Sequence, residues 1–347
     1  MKKNNFAAIL KKQKKNLSIL NLDYPKVPKD YVLVKMKFSG ICHTQLNEIS
    51  GKLGKDRFIP HCMGHEGVGE IVSIGLGVKN LRNKDKVVIS WIKKKQYKKI
   101  LPTNYYFIKK KINTGGCNTL LNYSLVSKDR VFKINKKNKY LRESILLGCA
   151  LPTASNAILY NSSINKKSKI LIMGMGGLGY ASLLVLNFLK CENVTCIDNN
   201  IKKLNLFKKR KGVEFKLVNN DNLKNFVNSK NEKYDLIIDC TGSKKLIENT
   251  FTLCNNFTGR FILIGNTKLN EKFSLNAWDF INGKTFTGAW GNGGATMKNF
   301  KLNEKILLNQ INNIKRILPR KNFKLKDINK AIKEFKDGKI LRPVVKF

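Results

Sequence analysis

Cys42 and His65 stand about twenty residues apart, in Gly40-Ile41-Cys42-His43-Thr44 and Gly64-His65-Glu66-Gly67-Val68-Gly69. A thiolate and an imidazole are soft-to-borderline donors of the kind that hold zinc. Glu66, directly after the histidine in a glycine-rich setting, suits a supporting position behind such a metal. Catalytic zinc usually takes three protein ligands and keeps one position open. The residues leave the third ligand open among Cys62, Cys117, Cys149 and the carboxylates.

A second constellation has different chemistry. Gly174-Met175-Gly176-Gly177-Leu178-Gly179 follows the apolar run Lys169, Ile170, Leu171, Ile172, Met173 and opens a helix-like stretch, the context that a dinucleotide-binding turn requires. Gly174 permits a tight turn, Gly176 lets a pyrophosphate approach the backbone, and Gly179 allows close packing of helix on strand. The helix N-terminus offers N–H groups and a positive dipole end to the phosphates. Asp198 ends the next strand-like run about twenty residues later, where a carboxylate accepts from the adenosine ribose hydroxyls and repels a 2′-phosphate. That favours NAD over NADP. A metal that polarises a hydroxyl and a dinucleotide that accepts a hydride point together to oxidation of an alcohol.

The elements that must position these groups are visible in the hydrophobic pattern. Val32, Val34, Met36 and Phe38 alternate with Lys35 and Lys37, a half-buried strand that delivers Cys42 just past its end. Residues 66–74 and 86–92 read as further strands. From residue 151 the pattern changes to short apolar runs at 170–173, 194–197, 236–240 and 261–265, suited to buried parallel strands. Helix-like segments at 178–190 and 201–211 lie between them, the βαβ alternation of a doubly wound sheet. Two more helix-like stretches, 302–317 and 325–336, precede a terminal segment, 341–347.

These segments, in this order, resemble the zinc-dependent alcohol dehydrogenases of the medium-chain dehydrogenase/reductase family over nearly the whole chain. The resemblance implies an α/β protein. Its discontinuous β-rich, GroES-like catalytic domain is expected over residues 1–150 and 290–347, and a Rossmann-type, doubly wound parallel-sheet dinucleotide-binding domain over 151–289. It implies Cys149, in Gly148-Cys149-Ala150-Leu151-Pro152-Thr153, as the third zinc ligand. Thr44 matches the hydroxyl that takes the alcohol proton, and Thr153 the position beside the nicotinamide. His43 and Arg342 match positions that contact the cofactor phosphates, and Lys203 a lysine near the ribose; Gly177 and Leu178 complete the phosphate turn.

Departures are as informative. A second, structural zinc in the family needs four closely spaced cysteines, and residues 91–117 contain only Cys117, so one zinc per chain is expected. The Lys- and Tyr-rich stretch 93–111 then serves as a surface element. Asn47 stands where several members carry a relay histidine, which leaves proton exit to water, the ribose or another group such as Glu48. Gln45-Leu46-Asn47-Glu48 also lacks the usual aspartate, and these polar groups could orient a sugar, polyol or aminocyclitol instead of a simple alcohol. The family implies a homodimer or homotetramer.

At 347 residues the chain has room for two cores, and 42% apolar residues is ordinary for a globular protein. No apolar run approaches the length of a membrane span. The apolar stretch after Met1-Lys2-Lys3, Phe6 to Leu10, is too short for a signal-peptide core, so a cytoplasmic location is expected. The eight cysteines show no regular spacing, and Cys191, Cys196, Cys240 and Cys254 read as buried thiols. A net charge of +44 ordinarily raises nucleic-acid binding. Here the charge is spread along the chain and Lys, Asn and Ile, which share A/T-rich codons, are all abundant. Neither a nucleic acid nor a membrane is expected as a partner.

Overall fold

The computed structural model describes residues 4–96, 102–207, 211–229, 233–291 and 295–347. The chain forms two compact units, Met1–Pro152 with Gly294–Phe347, and Thr153–Gly293. Its first part carries β1 (Asn5–Leu10), β2 (Ser18–Leu22), β3 (Tyr31–Gly40), α1 (His43–Ser50), β4 (His61–Cys62), β5 (Glu66–Ile74), β6 (Lys86–Ser90), β7 (Asn104–Phe107), β8 (Lys110–Asn113), β9 (Tyr123–Ser127) and β10 (Val131–Lys133). Next come α2 (Ala150–Asn161), β11 (Lys169–Met173), α3 (Gly177–Phe188), β12 (Asn193–Asp198), α4 (Ile201–Leu204), β13 (Val213–Leu217) and α5 (Leu223–Asn228). Then follow β14 (Leu236–Asp239), α6 (Lys244–Thr250), β15 (Arg260–Leu263), α7 (Ala277–Ile281) and β16 (Thr285–Gly288). The chain closes with α8 (Met297–Asn309), α9 (Ile311–Ile317), α10 (Ile328–Lys336) and β17 (Val344–Lys346).

The first unit is built around β3. This strand pairs antiparallel with β5, β9 and β17, and lies in a sheet ordered β10-β6-β5-β3-β17. Val32, Val34 and Met36 enter one core with Ile71, Val87 and Ile89, while Tyr31 and Leu33 enter another with Ala7, Ile9 and Leu125. The strand is therefore covered on both faces over its first half, more deeply than its alternation with lysine suggests. The smaller sheet, β2-β1-β4-β8-β7, closes over the second of these cores.

A third core joins the two ends of the chain. Leu10, Ile41 and Met63 pack with Leu325, Ile328, Ala331 and Val345. Pairing of Val344 with Gly40 and Val345 with Ser39, plus the Ile41 N–H donated to Pro343 O at 3.0 Å, fixes the terminal segment against the exit of β3. This register sets Arg342 beside the metal-ligand candidates.

The second unit holds a parallel sheet ordered β13-β12-β11-β14-β15-β16, the order 3-2-1-4-5-6 of a dinucleotide-binding fold. Ile170, Leu171, Ile172 and Met173 are fully buried, as are Ile237 and Ile238 on the neighbouring strand, as expected for strands covered on both faces. Two expected helices differ in extent. The stretch 302–317 is two helices, broken at Gln310 (φ −125°, ψ 26°). The stretch 201–211 forms α4 over only Ile201–Leu204, and residues 208–210 lie outside the described residues. No helix among the described residues is long and apolar enough to cross a membrane.

The segment 93–111 is only partly the exposed element expected. Lys93, Lys95, Lys109, Lys110 and Lys111 are exposed; Tyr97, Lys98 and Lys99 lie outside the described residues. Tyr105 is buried, and its hydroxyl donates to Tyr123 O at 2.8 Å. Lys94 is also buried: its ammonium donates to Lys128 O at 3.1 Å and lies 4.9 Å from the Phe132 ring centre. Burial lowers its pKa to about 8.

Candidate active site

Four backbone segments converge on one point of the first unit. Cys42 follows β3 and is the N-cap of α1, with φ −93° and ψ 160°. His65 immediately precedes β5, and Glu66 is that strand's first residue. Cys149 follows a short 3-10 helix, Glu143–Gly148, and Arg342 precedes β17. Two glycines let these segments meet. A Cβ at Gly40 would lie 2.2 Å from Glu66 Oε1, and one at Gly148 would lie 2.5 Å from Ile89 O and 3.0 Å from Glu66 Cα.

The Cys42, His65 and Cys149 donor atoms all lie within 4.8 Å of one another. His65 Nε2 is 3.3 Å from Cys149 Sγ, and the two sulfurs are 3.9 Å apart. Tetrahedral zinc with ordinary bond lengths would set these edges at about 3.6 and about 3.8 Å. Two edges of the set are thus within about 0.3 Å of those values, and two cysteines with one histidine suit zinc in donor chemistry. It is the one such group of three or more Cys, His, Asp or Glu found among the described residues. Cys62 and Cys117 stand outside it. Burial pushes the Cys62 thiol above its ordinary range and raises Cys117 to about 11, the behaviour of packing thiols.

Within the cluster the electrostatics favour ligands. A hydrogen bond with Cys149, then the Arg342 charge, hold Cys42 well below the ordinary thiol range against burial. Cys149 is pushed the other way, first by the same hydrogen bond and then by burial. Of the two sulfurs, Cys42 therefore gives up its proton the more readily. Burial disfavours a charged His65, but the hydrogen bond and charge of Cys42 outweigh it and raise its pKa.

Behind the cluster, Glu66 and Arg342 form a buried ion pair. Arg342 Nη2 donates to Glu66 Oε2 at 2.5 Å, with side-chain exposures of 4% and 0%. Glu66 Oε1 and Arg342 Nε have no hydrogen-bond partner. Burial raises the Glu66 pKa and Arg342 opposes that rise. Arg342 is thus engaged first with this carboxylate, a contact the sequence does not reveal. Thr44 is half-buried, with Oγ1 3.7 Å from Cys42 Sγ. His43 is exposed and stands edge-on to Phe335, ring centres 5.7 Å apart.

Gln45 is the residue sequence reasoning misplaced. It is 1% exposed, its Oε1 accepts the Cys42 N–H at 2.9 Å, and its Nε2 lies 2.8 Å from His65 Nδ1. It holds a metal-ligand candidate and is closed to substrate. Its position as third residue of a helix whose N-cap is Cys42 is the signal that could have placed it, since a glutamine there reaches back to the cap N–H. His61, a tempting neighbour, pairs with Asp56 at 2.8 Å.

In the second unit Gly174 adopts φ +88°, and a Cβ there would meet Thr241 Cγ2 at 2.6 Å. A Cβ at Gly179 would lie 1.9 Å from Gly174 O, whereas one at Gly176 meets nothing within 4 Å. Gly176 thus leaves its backbone open to a ligand at the start of α3, with Gly177 and Leu178 in that helix's first turn. Asp198 Oδ2 accepts the Met175 N–H at 2.7 Å and Oδ1 the Asn200 N–H at 2.9 Å, while Lys203 Nζ lies 3.4 Å away. Thr153 lies half-buried in α2. The Gly179→Ala variant is expected to lose dinucleotide binding by at least about tenfold, because a clash this close with backbone must open the turn. Equilibrium binding of the cofactor checks it, and wild-type affinity would contradict it.

Known proteins carry both halves of this arrangement. Residues 28–136 match the model of the alcohol dehydrogenase GroES-like domain, and residues 177–304 that of the zinc-binding dehydrogenase domain. The chain belongs to the zinc-binding alcohol dehydrogenase family. It is 24% identical to S-(hydroxymethyl)glutathione dehydrogenase of Saccharomyces cerevisiae, over 98% of this chain and 95% of the relative. It is also 24% identical to a class-3 alcohol dehydrogenase of Cereibacter sphaeroides, over 82% and 84%. The fold matches that of benzyl alcohol dehydrogenase from Acinetobacter calcoaceticus with a TM-score of 0.85 at 21% identity, covering 99% of each chain. This alcohol dehydrogenase is an oxidoreductase of alcohols and carbonyls.

Proposed function

We propose that the chain transfers a hydride between an alcohol and NAD, with one zinc per chain held by Cys42, His65 and Cys149. The observation that carries this reading is the three-donor cluster, two of whose edges come close to those of tetrahedral zinc; three protein ligands on a four-coordinate ion would leave one position for substrate. Zinc bound there supplies a Lewis acid to an alcohol oxygen, and NAD supplies the hydride acceptor. Thr44 Oγ1 would accept the proton of the substrate hydroxyl while passing its own hydroxyl proton on to water, the cofactor ribose or Glu48. Gln45 orients His65, and the Glu66–Arg342 pair sets the charge behind the cluster. Glu48, whose carboxyl is raised by burial, can hold a proton where Asn47 cannot. Arg342 and His43 are assigned to the cofactor phosphates, Lys203 to its ribose and Thr153 to the nicotinamide. A homodimer or homotetramer completes the reading.

The sugar, polyol or aminocyclitol alternative drew on polar groups at 45–48. Gln45 is engaged with Cys42 and His65, and Asn47 is 4% exposed. Neither offers itself to a polyhydroxylated substrate, so simple hydroxyalkyl compounds are favoured. A screen of alcohols, sugar alcohols and S-(hydroxymethyl)glutathione with NAD and zinc-loaded protein tests the substrate class. Turnover confined to sugar alcohols would reverse the preference.

Asp198 makes a separate expectation. A carboxylate has about four acceptor positions, so those left by Met175 and Asn200 can take ribose hydroxyls. Its charge repels a 2′-phosphate. Catalytic efficiency should favour NAD over NADP by at least about tenfold, and Asp198→Ser should narrow that ratio. A wild-type enzyme more efficient with NADP would contradict the assignment.

A further inference from the structure

Gln45 bridges two groups whose demands conflict once a metal is bound. Its Oε1 accepts the Cys42 N–H at 2.9 Å, and its Nε2 lies 2.8 Å from His65 Nδ1. The two ends of a carboxamide exchange by a half-turn, but a backbone N–H is always a donor, so the oxygen belongs on Cys42. The NH2 end then faces His65 Nδ1, and that nitrogen must accept. A neutral imidazole accepting at Nδ1 carries its hydrogen on Nε2. Yet Nε2 is the nitrogen facing Cys149 Sγ, 3.3 Å away, within the three-donor cluster. A metal needs the Nε2 lone pair, which places the hydrogen on Nδ1, donor against donor with the Gln45 NH2 group.

We propose that Gln45 is a positioning residue that weakens zinc retention: metal loading turns its carboxamide over, so that Oε1 takes the His65 Nδ1–H and the Cys42 N–H loses its acceptor. The inference rests on the reading of Cys42, His65 and Cys149 as zinc ligands. The loss is costly because Gln45, 1% exposed, stays beside the Cys42 N–H and then presents its NH2 end to that donor. A carboxylate of the same length accepts from Cys42 N–H and His65 Nδ1–H at once and needs no turn. The amide therefore makes the metal more exchangeable than a carboxylate would.

Two measurements on zinc-loaded protein test this. In competition with a chromophoric chelator, Gln45→Glu should hold zinc at least about tenfold more tightly than the wild type, the scale on which partners of metal-bound histidines act. Equal or weaker retention by a folded Gln45→Glu overturns the proposal. In the wild type, the Cys42 amide should exchange hydrogen at least about tenfold faster than that of Ile41, whose N–H remains on Pro343 O. Equal protection of the two amides overturns it without any variant, so failure of Gln45→Glu to fold does not shelter the idea. Zinc bound with unchanged affinity removes only the role of Gln45. A wild-type chain that takes up no zinc overturns the ligand reading itself and the proposal with it.

Discussion

Cys149→Ala is expected to strip the protein of zinc and to lower turnover by about a hundredfold or more. Lewis-acid assistance contributes several kcal/mol, and each factor of ten in rate corresponds to about 1.4 kcal/mol. Cys149 faces both other ligand candidates, with His65 Nε2 at 3.3 Å and Cys42 Sγ at 3.9 Å, and its loss leaves two protein ligands where catalytic zinc takes three. Cys117→Ala is the matched control. That thiol packs against the core of Val32, Val34 and Met36 and lies 3.9 Å from the His65 backbone oxygen, outside the three-donor cluster, so its loss should leave metal and rate near the wild type. Metal content and turnover of the two variants, side by side, check the expectation. Full zinc retention in Cys149→Ala would remove that residue from the site.

The second large effect lies one layer behind. Arg342→Met leaves the Glu66 carboxylate at 0% exposure with its ion-pair partner gone, a loss of about 3–5 kcal/mol for a buried pair broken from one side. Denaturant unfolding should show that loss. The double variant Arg342→Met/Glu66→Gln should recover much of it, because no charge is then left unpaired. Glu66→Gln alone is expected to keep most of the zinc while lowering the rate, since Glu66 lies behind the ligands. An Arg342→Met protein within about 1 kcal/mol of the wild type would show that the pair is not what holds this layer together.

The sequence revealed elements wherever burial imposes a clean period. Residues 66–74 were legible as β5 to the residue, and the four runs read as parallel strands are β11, β12, β14 and β15. The edge strands were not. In β13 no residue is fully buried and both Glu214 and Leu217 are exposed, and β16 is open at Thr285 and Gly288, so neither shows an apolar run. Helix α1 was also hidden, because over His43–Ser50 only Leu46 and Ile49 are apolar, too few to mark a stripe. Gln45 and Asn47 are both buried although they lie on different sides of the helix, Gln45 held inward by its hydrogen bonds to Cys42 and His65.

The candidate site divides the same way. Cys42, His65 and Glu66 are recognisable from residue type and glycine-rich setting. Cys149 is 84 residues beyond His65, and residue type alone did not select it over Cys62 and Cys117. The Arg342–Glu66 pair spans 276 residues and depends on the register of β17 with β3. Lys94 shows the opposite failure: within a lysine-rich stretch it reads as solvated, yet Lys128 O and the Phe132 ring accommodate its ammonium in the interior.

The most direct test of zinc-assisted hydride transfer uses an alcohol deuterated at its carbinol carbon, NAD and zinc-loaded protein, with the reduced cofactor read by mass spectrometry. Stoichiometric deuterium in the reduced nicotinamide is predicted, lost on removal of zinc by chelation and restored on its return. Reduced cofactor that carries no deuterium, or turnover that survives complete loss of zinc, would contradict it.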